Sequence, residues 1–526
     1  MIRQDRVITL ISSLFEERVI INKAYADELH LEIAKNEIPI LAVELGDWGF
    51  PLIQLTATDE RGIHGCFRLF YTFANDNEKF LIVVSVSIAE NEPSFPSITN
   101  EVPAAHWYER EIRDLFGLDP IGHPDKRCLA VHEDWPEGLY PLRKDFSLNS
   151  EVSRTNGQFS FDKVEGEGVM QVPVGPIHAG IIEPGHFRFS AVGDTVINLE
   201  ARLFYTHRGM EKLAEGKTPL EAFPIVERIC GACSFSNTTS FCQALEKLSG
   251  TKVSNRVNYI RTVVLELERL YNHVGDVGNI CAGIGFAFGT MHGARLKEDI
   301  MRLNETVFGS RFLRGINTPG GVRRDISGLD SQLIIVTLDK LELEFRDLVE
   351  ILLDTNSYMD RVQRTGILLN RTASDLHAVG TAARASGVDR DVRRDHPYAA
   401  YDRVSFKVPV YEQGDVLARV KVRMDETFES INIIRQILAS MPMGELSQPI
   451  GEMIPYNYAV GMTESARGEN VHFIMIGKDQ TIYRYMVRSA SYVNWPVVPS
   501  TVPGNIIPDF PVINKSFELC YSCLDR

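Results

Sequence analysis

The chain holds 526 residues, 44% hydrophobic and 24% charged, which excludes a disordered or fibrous protein and allows about two to four domains with sizeable cores. With 55 Lys and Arg against 70 Asp and Glu the net charge is −15, which excludes broad nucleic-acid binding because that needs cations along the phosphates. Eight cysteines are too few for a disulfide scaffold at this length, and there is neither a signal-peptide core nor a membrane-spanning apolar run, so a reducing, cytoplasmic setting is expected.

In chain order, residues 5–18 carry Val7, Leu10, Ile11, Leu14 and Phe15 on one helical stripe. Cys66–Phe73 and Phe80–Ile88 read as two strands of a hairpin, joined at Ala74-Asn75-Asp76-Asn77. Trp107–Phe116 reads as a helix ended by Gly117. Ile112, Leu115 and Phe116 face inward, and the charges from Glu109 to Asp114 form a solvated face. Trp135–Asp145 is punctuated by proline and irregular. These pieces predict a small α+β domain over residues 1–150. Residues 151–170, polar and aperiodic, predict a linker.

Beyond residue 171, Asp194–Tyr205 reads as strand, and a helical pattern begins at Pro219. Ile260, Val263, Val264, Leu267, Leu270, Tyr271 and Val274 mark one long helix. Others follow at 290–308, 329–353 and 424–440. In the third, Ile334, Leu338, Leu341, Phe345, Leu348 and Leu352 share a stripe. A Pro-Gly-Gly loop over 317–325 ends in Arg323-Arg324-Asp325, read as structural charges. After 455, strand and loop alternate. The expected class is α+β: the small N-terminal domain, then a mainly helical domain over 171–526 with a helix-bundle core and short β pieces. No phosphate loop or dinucleotide fingerprint appears.

Two stretches carry the chemistry. Cys230-Gly231-Ala232-Cys233 and Cys520-Tyr521-Ser522-Cys523 are both Cys-x-x-Cys, and four thiolates can close one S₄ site. Cys66, Cys128, Cys242 and Cys281 read as small buried hydrophobes. Sulfur ligands admit iron, nickel or zinc, and spacing does not choose among them. A zinc staple has no need for pairs at opposite ends of a domain. A metal buried between two halves fits that placement.

Arg228-Ile229-Cys230-Gly231-Ala232-Cys233, preceded by His207-Arg208-Gly209-Met210-Glu211, resembles the N-terminal signature of nickel–iron hydrogenase large subunits. Cys520-Tyr521-Ser522-Cys523-Leu524-Asp525-Arg526 resembles their C-terminal signature. Residues 1–150 resemble the small hydrophilic subunit of respiratory complex I, and residues 171–526 its quinone-site subunit. The fusion of both resembles the large subunit of formate-hydrogenlyase-type, energy-converting hydrogenases. The resemblance implies a nickel–iron centre with carbon monoxide and cyanide on iron. Cys230 and Cys520 would be terminal nickel ligands, and Cys233 and Cys523 would bridge the metals. It implies Glu183 as proton relay and Arg467 as a charge over the metals. His178 is a further proton-path candidate, and Glu211 and Asn237 stand behind the ligands. The reaction implied is 2H⁺ + 2e⁻ ⇌ H₂.

No further cysteine set is spaced for an iron–sulfur cluster in this chain, so electrons are expected from a partner iron–sulfur small subunit. The other implied partners are ferredoxin-like electron-transfer subunits, integral membrane antiporter-like subunits and a formate dehydrogenase. They set the chain peripherally on the inner face of the cytoplasmic membrane. The resemblance also implies a mature form whose precursor extends past Arg526. Two positions depart from the family: Asn237 stands where a histidine is usual, and Glu518-Leu519 where Asp-Pro is usual. The rival readings are a complex-I-like protein acting on a quinone, with vestigial cysteines, and a zinc-bearing scaffold.

Overall fold

The computed structural model describes residues 3–178 and 182–526. The chain forms two compact units: Met1–Phe161 with Asp375–His377, and Asp162–Ser374 with Ala378–Arg526.

In the first unit, α1 (Arg3–Phe15) buries Val7, Ile11 and Phe15 but leaves Leu10 and Leu14 at the surface, a narrower stripe than the sequence predicts. A five-stranded sheet follows, built from β1 (Val19–Tyr25), β2 (Glu28–Ile33), β3 (Leu52–Glu60), β4 (Cys66–Asn75) and β5 (Phe80–Ala89). Its order is β1-β2-β5-β4-β3, with β2 and β5 parallel and the other neighbours antiparallel. The expected hairpin is β4–β5, with Phe73 opposite Ile82. The helix α2 (Ile38–Asp47) connects β2 to β3.

The helix α3 (His106–Phe116) ends at Gly117 in the left-handed region (φ 69°), as its C-cap position requires. Its charge run is not the solvated face expected. Glu109, Arg110, Glu111 and Asp114 are all buried. Glu109 accepts from Ile98 N (2.7 Å), Ser97 Oγ (2.5 Å) and Thr99 Oγ1 (2.7 Å). Asp114 accepts from the amides of Leu129 (2.6 Å) and Ala130 (2.9 Å), and Arg110 donates to Arg127 O and Cys128 O. The charges serve as caps for neighbouring loops, whose backbone would otherwise be buried unpaired. Cys66 and Cys128 are also half-buried rather than buried, whereas Cys242 and Cys281 lie in the interior.

The second unit opens with an antiparallel sheet of β6 (Val169–Val174), β7 (His186–Val192) and β8 (Thr195–Arg202). A capping box of Thr218 and Glu221 starts α4 (Pro219–Val226). Then come α5 (Ser234–Ser249), α6 (Asn255–Ala282), α7 (Ala287–Phe308), α8 (Gly328–Asp354) and α9 (Val416–Ala439). The helix α6 packs on α7 and α9, and α8 packs on both of those, which makes the bundle. The predicted stripe of α8, Ile334 to Leu352, is buried throughout. The approach of α6 to α7 depends on glycine: a methyl at Gly278 would fall 2.8 Å from Gly293 Cα. The sheet of β9 (Tyr458–Ser465), β10 (Gly468–Ile476) and β11 (Ile482–Arg488) lies against α5. Two short helices, α10 (Phe510–Phe517) and α11 (Tyr521–Asp525), close the chain. No helix among the described residues is long and apolar enough to cross a membrane.

The caps of α3 give a direct test. Glu109→Ala strands the Ile98 amide and two hydroxyls and should cost about 3 kcal/mol, against under about 0.5 kcal/mol for a solvated charge. Urea unfolding of the full chain, followed by a probe in this unit, measures the difference.

Candidate metal centre

The first Cys-x-x-Cys lies on the loop between α4 and α5, and Cys233 is the residue at which α5 begins. Cysteine is a poor cap, and here the cap comes from α6. Glu268 accepts from Phe235 N (2.6 Å) and Ser236 N (3.0 Å), taking two of the helix's free amides. Burial pushes the Glu268 carboxyl up to about 7, against the opposing pull of those bonds. Two further α6 residues hold the same loop: Tyr271 OH (3.1 Å) and Asn272 Nδ2 (2.7 Å) both donate to Ala232 O.

The second Cys-x-x-Cys follows α10, which ends at Glu518 in a left-handed conformation (φ 51°). Its approach is gripped by α9. Arg423 donates to Ser516 O (2.8 Å) and Phe517 O (3.2 Å), and Arg419 Nε donates to Ser516 Oγ (2.8 Å). Cys520 then caps α11, its sulfur accepting from Cys523 N at 3.3 Å. Asp525 and Arg526 lock the far end. Asp525 accepts from Phe204 N (3.1 Å) and Thr206 N (2.8 Å). Arg526 donates to Glu211 (2.8 Å), which Arg484 also holds (2.8 Å). Glu211 therefore anchors the C-terminal segment, and the two guanidiniums lower its pKa despite burial.

The two loops meet in one apolar cluster that contains Cys230, Cys233 and Cys523, with Cys520 packed against it. The nearness of Cys230, chiefly, pushes the Cys520 thiol up to about 12 and, with that of Cys520, sets the Cys523 thiol well above its usual range. Glu183 stands beside them. Its Oε2 accepts from Ser522 N (2.8 Å) and lies 3.8 Å from Cys520 Sγ, while Oε1 takes the Ser522 hydroxyl. Burial, and then the charge of Cys520, raise its pKa. Arg467 is buried with its guanidinium on both oxygens of Asp276, the Nη2 bond measuring 3.0 Å. Although burial works against its charge, Asp276, Glu518 and Cys233 together hold it protonated. His178 is not among the described residues that bond to a cysteine. It bonds to Gly185 O (2.7 Å), just past Glu183, and steadies that loop.

Three family models match the chain. Residues 31–152 match the 30 Kd subunit of respiratory-chain NADH dehydrogenase, residues 283–454 and 450–526 its 49 Kd subunit, and residues 208–276 the nickel-dependent hydrogenase model. Formate hydrogenlyase subunit 5 of Escherichia coli (strain K12) is 37% identical over 95% of this chain and 89% of its own length. The chain belongs to the formate-hydrogenlyase-type family of hydrogenase large subunits. The family's kinship with complex I is equally plain, since the C/D subunit of NADH-quinone oxidoreductase from Phocaeicola vulgatus is 31% identical over 95% of this chain and 98% of its own. A chain of the membrane-bound sulfane sulfur reductase, an archaeal respiratory membrane complex, matches with a TM-score of 0.65 at 27% identity, covering 68% of this chain and 99% of that one.

The donor set suits the metal centre of a hydrogenase large subunit. Among the described residues no three His, Cys, Asp or Glu side chains form a ready coordination shell. Metal binding would release the thiol protons and draw the sulfurs together. Among the described residues, Asn237 Nδ2 and Arg467 Nε are buried donors without a hydrogen-bond partner. The first is held open by a chain of bonds. Ala490 N can only donate, so it fixes Asn470 Oδ1 (3.1 Å). Asn470 Nδ2 then faces Asn237 Oδ1 (3.2 Å), which His472 Nε2 also approaches (3.3 Å). Asn237 lies one turn after Cys233 on α5, its backbone amide donating to Cys233 O (3.0 Å). The departure from the family's histidine thus keeps a donor.

Sequence reading missed Asp276, Arg423, Glu268, Asn470 and His472. Each sits inside an ordinary helix or strand pattern, and only its buried partners reveal it. His472 makes a checkable pH dependence. Burial pushes its pKa from 6.5 to about 3. Below pH 6.5 the unfolded chain gains a proton that the folded chain refuses, so stability falls as pH drops toward 3. Between pH 7.5 and 5 the loss is about 2 kcal/mol. Denaturant unfolding of His472→Gln at both pH values should show that share of the loss removed.

Proposed function

We propose that this chain is the catalytic large subunit of a membrane-associated, multisubunit nickel–iron hydrogenase of formate-hydrogenlyase type, reducing protons reversibly to H₂. The observation that carries this reading is the meeting of both cysteine pairs in one buried cluster, with Glu183 on one side and Arg467 nearby. Cys230, Cys233, Cys520 and Cys523 would hold a nickel–iron centre with carbon monoxide and cyanide on the iron. The bound centre supplies the two-electron chemistry of H₂.

The chain's own residues handle protons and charge. A proton on Cys520 Sγ has Glu183 Oε2 as its acceptor at 3.8 Å. Ser522, through both its amide and its hydroxyl, keeps that carboxylate in place. The raised pKa of Glu183 brings it nearer working pH, as a relay group requires. Arg467 cannot deprotonate, so it holds a constant positive charge beside Cys233. The apolar residues around the thiols, among them Phe223, Ile229 and Phe241, exclude water.

Electrons would come from a partner iron–sulfur small subunit through ferredoxin-like subunits, ultimately from a formate dehydrogenase. Integral membrane antiporter-like subunits would hold the chain on the inner face of the cytoplasmic membrane. The second reading is a complex-I-like protein acting on a quinone. The likeness to the C/D chain of NADH-quinone oxidoreductase supports it, and so does Asn237.

Metal analysis and infrared spectroscopy of the purified complex separate the two. Stoichiometric nickel and iron with carbonyl and cyanide bands are expected, and a metal-free complex with quinone reductase activity would defeat the hydrogenase reading. Cys523→Ser should lose nickel and H₂ evolution together. Glu183→Gln should keep nickel but lower H₂ evolution about a hundredfold or more, the usual weight of a general acid–base group.

A further inference from the structure

Arg208 belongs to neither Cys-x-x-Cys loop, yet it bonds to both. Its Nη1 donates to Arg228 O (2.9 Å) and its Nη2 to Ile229 O (2.9 Å), the two carbonyls just before Cys230. The same Nη2 donates to Ser522 O (2.9 Å), between Cys520 and Cys523. Its backbone amide donates to Arg526 O (2.8 Å). The guanidinium is therefore shared by carbonyls at opposite ends of the unit, each one or two residues from a thiol.

Arg208 is exposed, and its neighbours in the chain anchor its backbone. His207 Nδ1 bonds to Asp525 O (2.5 Å), and Glu211 is buried between Arg484 and Arg526. Only arginine suits the task. Its planar fork offers several donors at fixed angles, whereas a lysine ammonium is a single point on a flexible stem. Bonds from a charged donor are also stronger than neutral ones. Elsewhere each loop is held to its own support: the first to α6 through Ala232, the second to α9 through Ser516 and Phe517. Those supports share one frame, since Arg423 of α9 bonds to Asp276 of α6 and Asn279 of α6 to Glu518, but each grips its loop from outside the other. Arg208 ties the two loops to one another.

We propose that Arg208 is a positioning residue that registers the two cysteine pairs against each other, so that four sulfurs face one metal centre. The role rests on the hydrogenase reading for its metal, but not for its geometry. It also differs from that of Arg228, whose guanidinium Nη1 stays on its own helix at Pro224 O (2.9 Å).

The test uses the full chain purified with its partner subunits, stripped of metal by a chelator under reducing conditions and then exposed to diamide. Disulfides joining Cys230 or Cys233 to Cys520 or Cys523 are counted by peptide mass spectrometry. Arg208→Ala and Arg208→Lys should both slow this between-loop bridging about tenfold, the weight of one lost charge-assisted hydrogen bond. The unfolding midpoint should stay near wild type, and Arg228→Ala should bridge at the wild-type rate. In the loaded complex, nickel should escape to a chelator about tenfold faster from both Arg208 variants. Wild-type bridging in Arg208→Lys would overturn the proposal, because that variant keeps the charge and removes only the fork. If Arg208→Ala does not fold, Arg208→Lys alone decides. Absence of nickel from the wild-type complex would defeat the hydrogenase reading, while the bridging result would still stand or fall by itself.

Discussion

Charges buried along α6 constrain the whole second unit. Glu266, Glu268, Arg269, His273 and Asp276 all lie in the interior of this helix, beside the apolar residues expected there. An ion removed from water costs several kcal/mol unless it is paired and hydrogen-bonded. Neighbours on α6 meet only part of that need, with Arg269 3.3 Å from Glu266 and His273 3.9 Å from Asp276, and the other partners come from far along the chain. Glu266 is held by Arg393 (3.2 Å), Tyr401 (2.5 Å) and Ser430 (2.5 Å). Arg269 donates to the carbonyls of Glu464 (2.7 Å) and Ser465 (3.0 Å). His273 meets Glu426 at 2.6 Å, Glu426 meets Arg384, and Arg384 meets Glu464. Such a network adds little net stability compared with a well-packed apolar core. It does specify which segments must surround α6.

The cysteine loops hang on this same frame. Glu268, Tyr271 and Asn272 hold the first loop by its backbone. One turn further, Asp276 binds Arg467 and Arg423, and Arg423 reaches on to the residues before the second loop. The charges that place the bundle therefore also place both half-sites, and the thiols meet because the ion pairs close. A site of this kind is rigid for a physical reason. Glu268, Asp276, Ser516 and Phe517 are buried, and moving any one would leave a polar group unpaired in the interior.

Much of the fold was legible where one face of an element meets an apolar core. The stripe from Ile334 to Leu352 and the β4–β5 hairpin follow from periodicity alone. The charge run on α3 misleads for the opposite reason. Glu109 and Asp114 look solvated in isolation, and only the amides of Ile98, Leu129 and Ala130 explain their burial. The same blindness hid Asp276 and His472 at the site. A charged residue in a helix or strand carries no local sign of a partner that lies hundreds of residues away.

By itself the sequence determined the donor chemistry of two Cys-x-x-Cys pairs, a property of residue type and short spacing that no folding can change, while the family resemblance marked Glu183 and Arg467. Only the tertiary structure decided that the pairs converge, that Glu183 reaches Cys520, and that Asn237 Oδ1 faces Asn470 and His472. Each of these depends on hydrogen bonds between segments remote in the chain, and a linear pattern has no term for distance in space.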